Sequence, residues 1–74
     1  MRVKINLDTD GAAARLVGLA TSIPEVVTLT DGSGMTVSAK SLLGALYARF
    51  DFREIWLETE KDHFMLFKDF LAEW

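Results

Sequence analysis

Residues 25–39 read EVVTLTDGSGMTVSA, two β-branched runs on either side of Asp31-Gly32-Ser33-Gly34. Glycines at a tight connection, where positive φ is needed, make this segment a β-hairpin. A hairpin commits its two strands to lie antiparallel, so any sheet built on it must continue from that pair. The glycines do not form a phosphate cradle: they lead into a strand, and the cradle needs a helix N-terminus there.

The flanking segments supply the rest of such a sheet and its cover. In MRVKINLD, Val3, Ile5 and Leu7 alternate with Arg2, Lys4 and Asn6, the pattern of a strand with one buried face. Thr9 or Asp10 then caps a helix whose apolar positions Ala12, Ala13, Leu16, Val17, Leu19, Ala20 and Ile23 recur at helical spacing. Pro24 blocks its continuation. Downstream, a short helix is expected over residues 41–47, a connection over 48–53, and a strand over 54–59 with Ile55 and Leu57 inward and Trp56 outward. A last helix is expected to start at Thr59, with Asp62 completing a capping box. On a helical wheel, Phe64, Leu66, Phe67, Phe70, Leu71 and Trp74 fill one apolar arc of that helix, and His63 lies within it. The order β-α-β-β-α-β-α, with no linker or repeat, makes residues 1–74 one α+β domain: a four-stranded antiparallel sheet with three helices on one face.

A domain of 74 residues buries only about 60% of the surface its unfolded chain exposes. Its margin therefore rests on apolar content, here half of all residues, and not on disulfides, since there is no cysteine. The absence of thiols also removes any thiolate metal site, and no cofactor is expected. A net charge of −3, from 8 basic and 11 acidic side chains, gives no electrostatic reason to bind nucleic acid. The longest uncharged runs, 16–24 and 41–48, are too short to span a bilayer, and no secretory leader pattern is present. The expectation is a cytoplasmic domain without nucleic-acid or membrane partners.

Few residues offer chemistry. His63 is the only histidine, and a catalytic or metal role would need a second ligand or an aimed carboxylate. Asp62 and Glu60 point elsewhere on the expected helix, so His63 reads as structural. Glu58 and Glu60 straddle a strand end and a helix start, and do not form a working pair. The aromatic stripe Phe64, Phe67, Phe70 and Trp74 reads as core. Trp56 falls on the open sheet face, as a cross-strand packing device or part of a contact surface. Ser41, between Lys40 and the run Leu42, Leu43 and Leu46, sits where a strand passes into a helix and is a good N-cap.

The run VVTLTDGSGMTVSAKSLLGALYARF resembles the middle of HPr, the phosphocarrier protein of the bacterial sugar phosphotransferase system, most closely in VSAKSLLGAL. The element order also matches that family's open-faced β-sandwich. Typical members carry a phosphorylated histidine in a Gly-x-His-x-Arg-Pro run at the start of the first helix. Here the region reads LDTDGAAARL, and Thr9 or Asp10 falls where the histidine would be, while Arg15, the only nearby arginine, lies too far into the helix and no proline precedes Pro24. Neither Thr9 nor Asp10 forms a phosphoimidazole, so the resemblance implies that phosphate relay from phosphoenolpyruvate is lost. Ser41 matches the serine phosphorylated by a dedicated kinase in HPr of many Gram-positive bacteria and in its histidine-less relative Crh. Leu42, Leu43 and Leu46, with Lys40, match the surface the family uses to meet partners.

The resemblance implies a non-enzymatic regulatory or protein-binding module working through the surface around Ser41, with an HPr-type kinase or a transcriptional regulator as partner. Two other readings stand beside it: an unconventional phosphocarrier using Asp10 or His63, and a structural module, monomeric or weakly homodimeric, using the open sheet face around Trp56.

Overall fold

The computed structural model describes residues 1–72, and its sheet obeys the alternation in the sequence. Strands β1 (Arg2–Ile5), β2 (Val27–Thr30), β3 (Thr36–Ser38) and β4 (Ile55–Thr59) form one antiparallel four-stranded sheet in the order β1-β4-β2-β3. The last strand in sequence thus lies between the first strand and the hairpin. Leu57 of β4 faces Val3 on one side and Leu29 on the other, while Trp56 faces Lys4 and Thr30. Ile5, Val27, Leu29, Ile55 and Leu57 bury on one face.

That face is covered by α1 (Asp10–Thr21), α2 (Leu42–Asp51) and the four-residue α3 (Phe64–Phe67), which a 3-10 turn at Lys68–Phe70 extends. The architecture is α+β with an open-faced antiparallel sheet. Both long helices meet the core mainly through small residues: α1 buries Ala12, Ala13 and Ala20 beside the one large side chain Leu16, and α2 buries Ala45 and Ala48. Alanine contacts let helix axes come close, and Phe67 and Phe70 from the C-terminal segment fill the space that remains.

Two glycines in the hairpin loop take the left-handed backbone that the turn requires, Gly32 at φ 85° and Gly34 at φ 114°. Asp31 Oδ1 organises the loop, accepting from the Ser33 N–H at 2.8 Å, the Ser33 hydroxyl at 2.9 Å and the Met35 N–H at 3.3 Å. These bonds, that from the Ser33 backbone foremost, hold the Asp31 carboxyl below its usual range.

Three expectations are corrected. Helix α2 runs to Asp51 rather than ending near Tyr47, because Ala48 continues the buried stripe and nothing in ARFD breaks a helix. The last helix does not start at Thr59. That residue belongs to β4: it pairs with Val27, its N–H donates to Met1 O at 2.9 Å, and its hydroxyl donates to Lys61 O. The helix begins at Phe64, whose N–H is capped by Asp62 Oδ1 at 2.9 Å. The apolar arc is broken as well, since Phe64 is exposed and Leu71 is extended. Residues 70–72 lie along the free edge of β1, with Asn6 N–H donating to Phe70 O at 2.8 Å and Ala72 N–H to Lys4 O at 3.0 Å. An edge strand's unpaired backbone groups compete for the chain here, and they win over helix continuation. Trp74, placed in the arc from sequence, lies outside the described residues.

The start of α2 presses onto the end of β3 so closely that a Cβ at Gly44 would sit 2.7 Å from the Ser38 carbonyl oxygen, whereas one at Gly18 would meet nothing within 4 Å. The same substitution should therefore have opposite signs at the two sites. Gly18→Ala should raise unfolding free energy by about 0.5–1 kcal/mol through helix propensity. Gly44→Ala should lower it by about 1–3 kcal/mol through the clash. Urea denaturation of the two variants checks both.

Candidate functional site

The β3–α2 junction is built by local hydrogen bonds from a serine-rich run. Ser38 Oγ accepts from the Lys40 N–H at 3.1 Å, and Ser41 N–H donates to Ser38 O at 3.3 Å. Ser41, in extended backbone, caps α2 by accepting from the Gly44 N–H at 3.1 Å. Its side chain is exposed, so the hydroxyl is both a cap and accessible.

From this cap an apolar stripe runs along α2 on the side away from Ala45 and Ala48. Leu43 is 80% exposed, Phe50 69%, Leu42 49% and Tyr47 43%, while Leu46 is half-buried against the core. Positions 43, 46, 47 and 50 fall on one helix face. Sequence reasoning named Leu42, Leu43 and Leu46 but missed Tyr47, which lay at the end of the expected helix, and Phe50, which fell beyond it. The signal was present as the i+4 and i+7 spacing from Leu43. Lys40, also named with this surface, is partly buried. Its Nζ donates to Ile23 O at 2.7 Å, turned toward the end of α1.

The start of α1 brings together Thr9, Asp10 and two arginines. Thr9 Oγ1 accepts from the Ala12 N–H at 3.0 Å, which occupies it as a cap. The Asp10 carboxylate lies 3.3 Å from Arg49 Nη1, and Arg49 Nη2 donates to Asp8 O at 2.8 Å. Arg15 also folds back: its Nη1 would lie 3.7 Å from a Cβ at Gly11. Arg49 was not legible here, since it reaches this spot only through the packing of α2 against α1. A cleft of about 570 Å³ opens alongside, lined by Asp8, Thr9, Ala12, Arg15, Leu19 and Phe70 among others.

His63 has the carboxylate partner that sequence reasoning did not find. It is Glu25, not Asp62 or Glu60, and it lies 3.3 Å from His63 Nε2 through Oε2. Lys61 Nζ approaches Glu25 Oε1 at 3.7 Å. Glu25 Oε2 and His63 Nε2 are both shielded from solvent, and neither makes a well-aligned hydrogen bond within the described residues. The Glu25 carboxyl is held below its usual range by its own backbone N–H first, with His63 and Lys61 adding to this against the opposing effect of burial.

On the open sheet face Trp56 is covered rather than bare. The Arg2 guanidinium stacks 4.3 Å from its ring, and its Nε1 donates to Glu54 Oε2 at 3.2 Å. Arg2 and Glu58 pair at 2.8 Å beside it. This face is cross-strand packing laced with charge.

Among the described residues no group of three or more His, Cys, Asp or Glu side chains could hold a metal ion, and no helix is long and apolar enough to cross a membrane. Compared with known protein families, curated proteins and solved structures, the chain matches none.

The capping geometry predicts that Ser41→Ala lowers stability by about 1 kcal/mol. Ser41→Asp, which keeps an acceptor oxygen at the same place, should retain most of it. Thermal unfolding of the two variants beside the parent checks the pair.

Proposed function

We propose that the protein is an HPr-like, phosphotransferase-system-related module without the phosphoacceptor histidine, acting in the cytoplasm as a non-enzymatic regulatory or protein-binding domain through the surface around Ser41. The observation that carries this reading is the exposed stripe of Leu42, Leu43, Tyr47 and Phe50 beginning at an exposed serine. Clustered exposed apolar side chains mark interaction surfaces, whereas scattered ones do not. A phosphate on Ser41 would stand at the N-terminus of α2, where free N–H groups and the helix dipole favour negative charge. It would place about −1.5 to −2 of charge at the edge of the stripe, changing which partner binds while leaving the fold in place.

A second reading, a phosphoacceptor at the start of α1, draws on Arg49 beside Asp10. A carboxylate at a helix N-terminus with an arginine at hand suits an acyl phosphate in charge, though Asp10 cannot do the chemistry of an imidazole.

Intact-protein mass spectrometry separates the readings. The protein is incubated with ATP and an HPr-type kinase, and separately with phosphoenolpyruvate and the general phosphotransferase enzyme, each repeated on Ser41→Ala and Asp10→Asn. The expected result is one phosphate from the kinase alone, absent in Ser41→Ala. A phosphate from phosphoenolpyruvate that Asp10→Asn removes would establish the second reading. No phosphate in either incubation would leave Ser41 as a cap and remove regulation by phosphorylation from the proposal.

A further inference from the structure

The Glu25–His63 contact is unlike the ion pairs among the described residues. Its side chains are 12% and 22% exposed, while the other pairs each include a partner at 49% or more. It joins segments far apart in sequence. Val27 pairs with Thr59, and continuing that antiparallel register two residues outward brings Glu25 opposite Lys61, with His63 just beyond. His63 stands at the hinge of the C-terminal segment: its carbonyl accepts from the Leu66 N–H at 3.0 Å and the Phe67 N–H at 3.3 Å, forming the first turn of α3. The helix of that segment is four residues long, and among the described residues the segment is anchored by Phe67, Phe70 and Leu66 on the core and by the edge pairing of residues 70–72, where Ala72 is buried.

We propose that Glu25 and His63 form a proton-operated latch, which fastens the C-terminal segment to the α1–β2 connection when the imidazole is charged and loosens it when the imidazole is neutral. The geometry makes charge the deciding quantity. Oε2 and Nε2 are 3.3 Å apart, long for an N–H···O bond and not aligned for a straight one, so a neutral ring gains less from the carboxylate than a charged one does. An imidazolium is attracted at this distance whatever its angle, and more strongly for being shielded from water. A neutral ring whose bare nitrogen faces the carboxylate would be pushed away.

The other charged groups around the pair leave the imidazole as the group that switches. Lys61 approaches Glu25 from the same connection as His63, on the other carboxylate oxygen. Glu60 and Asp62 flank them in sequence, and Asp62 is occupied as the cap on Phe64. From β1 the Met1 amine reaches Thr59 O, and from the β3–α2 junction Lys40 reaches Ile23 O. Because the Glu25 pKa is lowered on folding, its own contribution is fully present above the unfolded value of about 4.3 and is lost only as pH falls through the lowered one. Glu25 therefore stays ionised from about pH 5.5 to about pH 7.5, so that within this window a change in the contact cannot come from the carboxylate.

Native-state hydrogen exchange read by NMR tests the latch. Protection of the Leu66 and Phe67 amides is measured relative to the β4 amides, corrected for intrinsic rates, across that window. The ring of His63 is monitored in the same samples, and as the only histidine it gives an unambiguous signal. Relative protection should rise roughly fivefold from about pH 7.5 to about pH 5.5, as expected for converting a weak contact to a charge-assisted one. The rise should track the titration of the ring, and both Glu25→Gln and His63→Gln should abolish it. A flat ratio in the parent protein would overturn the proposal without recourse to any variant. So would a rise that does not track the ring, or one that persists in Glu25→Gln.

Discussion

The structure depends on the insertion of β4 between β1 and β2. Those two strands are not neighbours, so the sheet becomes continuous only when Ile55–Thr59 pairs with both. The middle of that strand is where burial is most complete, with Leu57 fully enclosed between Val3 and Leu29 and beneath the helices. Such a pairing closes long loops before any contact rewards it, which favours slow, cooperative assembly over stepwise growth from the hairpin. Its register also fixes positions well outside the strand. Trp56 lands between Lys4 and Thr30, and at the far end Glu25 comes beside Lys61 and His63. A slip of one residue would exchange the two sheet faces and separate every one of these groups.

The helix pair is fastened at both ends by cations. Helices α1 and α2 run in opposite directions, so the end of one adjoins the start of the other. At one end Lys40, just before α2, donates to Ile23 O beyond α1. At the other, Arg49 in the last turn of α2 holds Asp8 O and the Asp10 carboxylate at the start of α1. Lys40 and Asp10 carry the signs that the dipole of α1 favours at its two ends, and Arg49 suits the C-terminal end of α2, whereas Lys40 also stands before the N-terminus of α2, where positive charge is unfavourable. Each contact alone is worth about 1 kcal/mol or less by analogy with measured hydrogen bonds and exposed pairs. Their value lies in fixing how two alanine-faced helices, with little side-chain relief to interlock, are set against each other.

The reach of these contacts along the chain explains which parts of the molecule were legible in the sequence. The hairpin, α1 and the alternation of β1 and β4 are written in local periodicity, and each forms where the spacing places it. The C-terminal helix was misread because its apolar positions answer to two partners at once. Phe67 and Phe70 go to the core, while residues 70–72 are claimed by the edge of β1, a demand that no helical wheel contains. The site divides in the same way. Ser41 as a cap is a local signal, and Leu42 and Leu43 are exposed beside it. Lys40, Arg49 and Glu25 find their partners across 17, 39 and 38 residues of sequence respectively, and only the register and the helix packing bring them there.

Helix α2 is divided against the interest of the fold. It packs through Ala45 and Ala48, and spends Leu43, Tyr47 and Phe50 on solvent. Helix propensity does not account for this choice: aromatic residues are poorer helix formers than alanine by about half a kcal/mol each. Nor does core volume, since a domain of this size has few large side chains to spare. Single exposed apolar residues need no explanation, but several on one face of a ten-residue helix form a surface that water covers at a cost. On the reading proposed above, a partner would relieve that cost and a phosphate on Ser41 would gate its approach. The cap asks of residue 41 only an acceptor oxygen for the Gly44 N–H, which a phosphoserine still supplies. Were Ser41 phosphorylated as proposed, its charge would change by about −1.5 to −2 while the cap that holds the surface in place kept its acceptor.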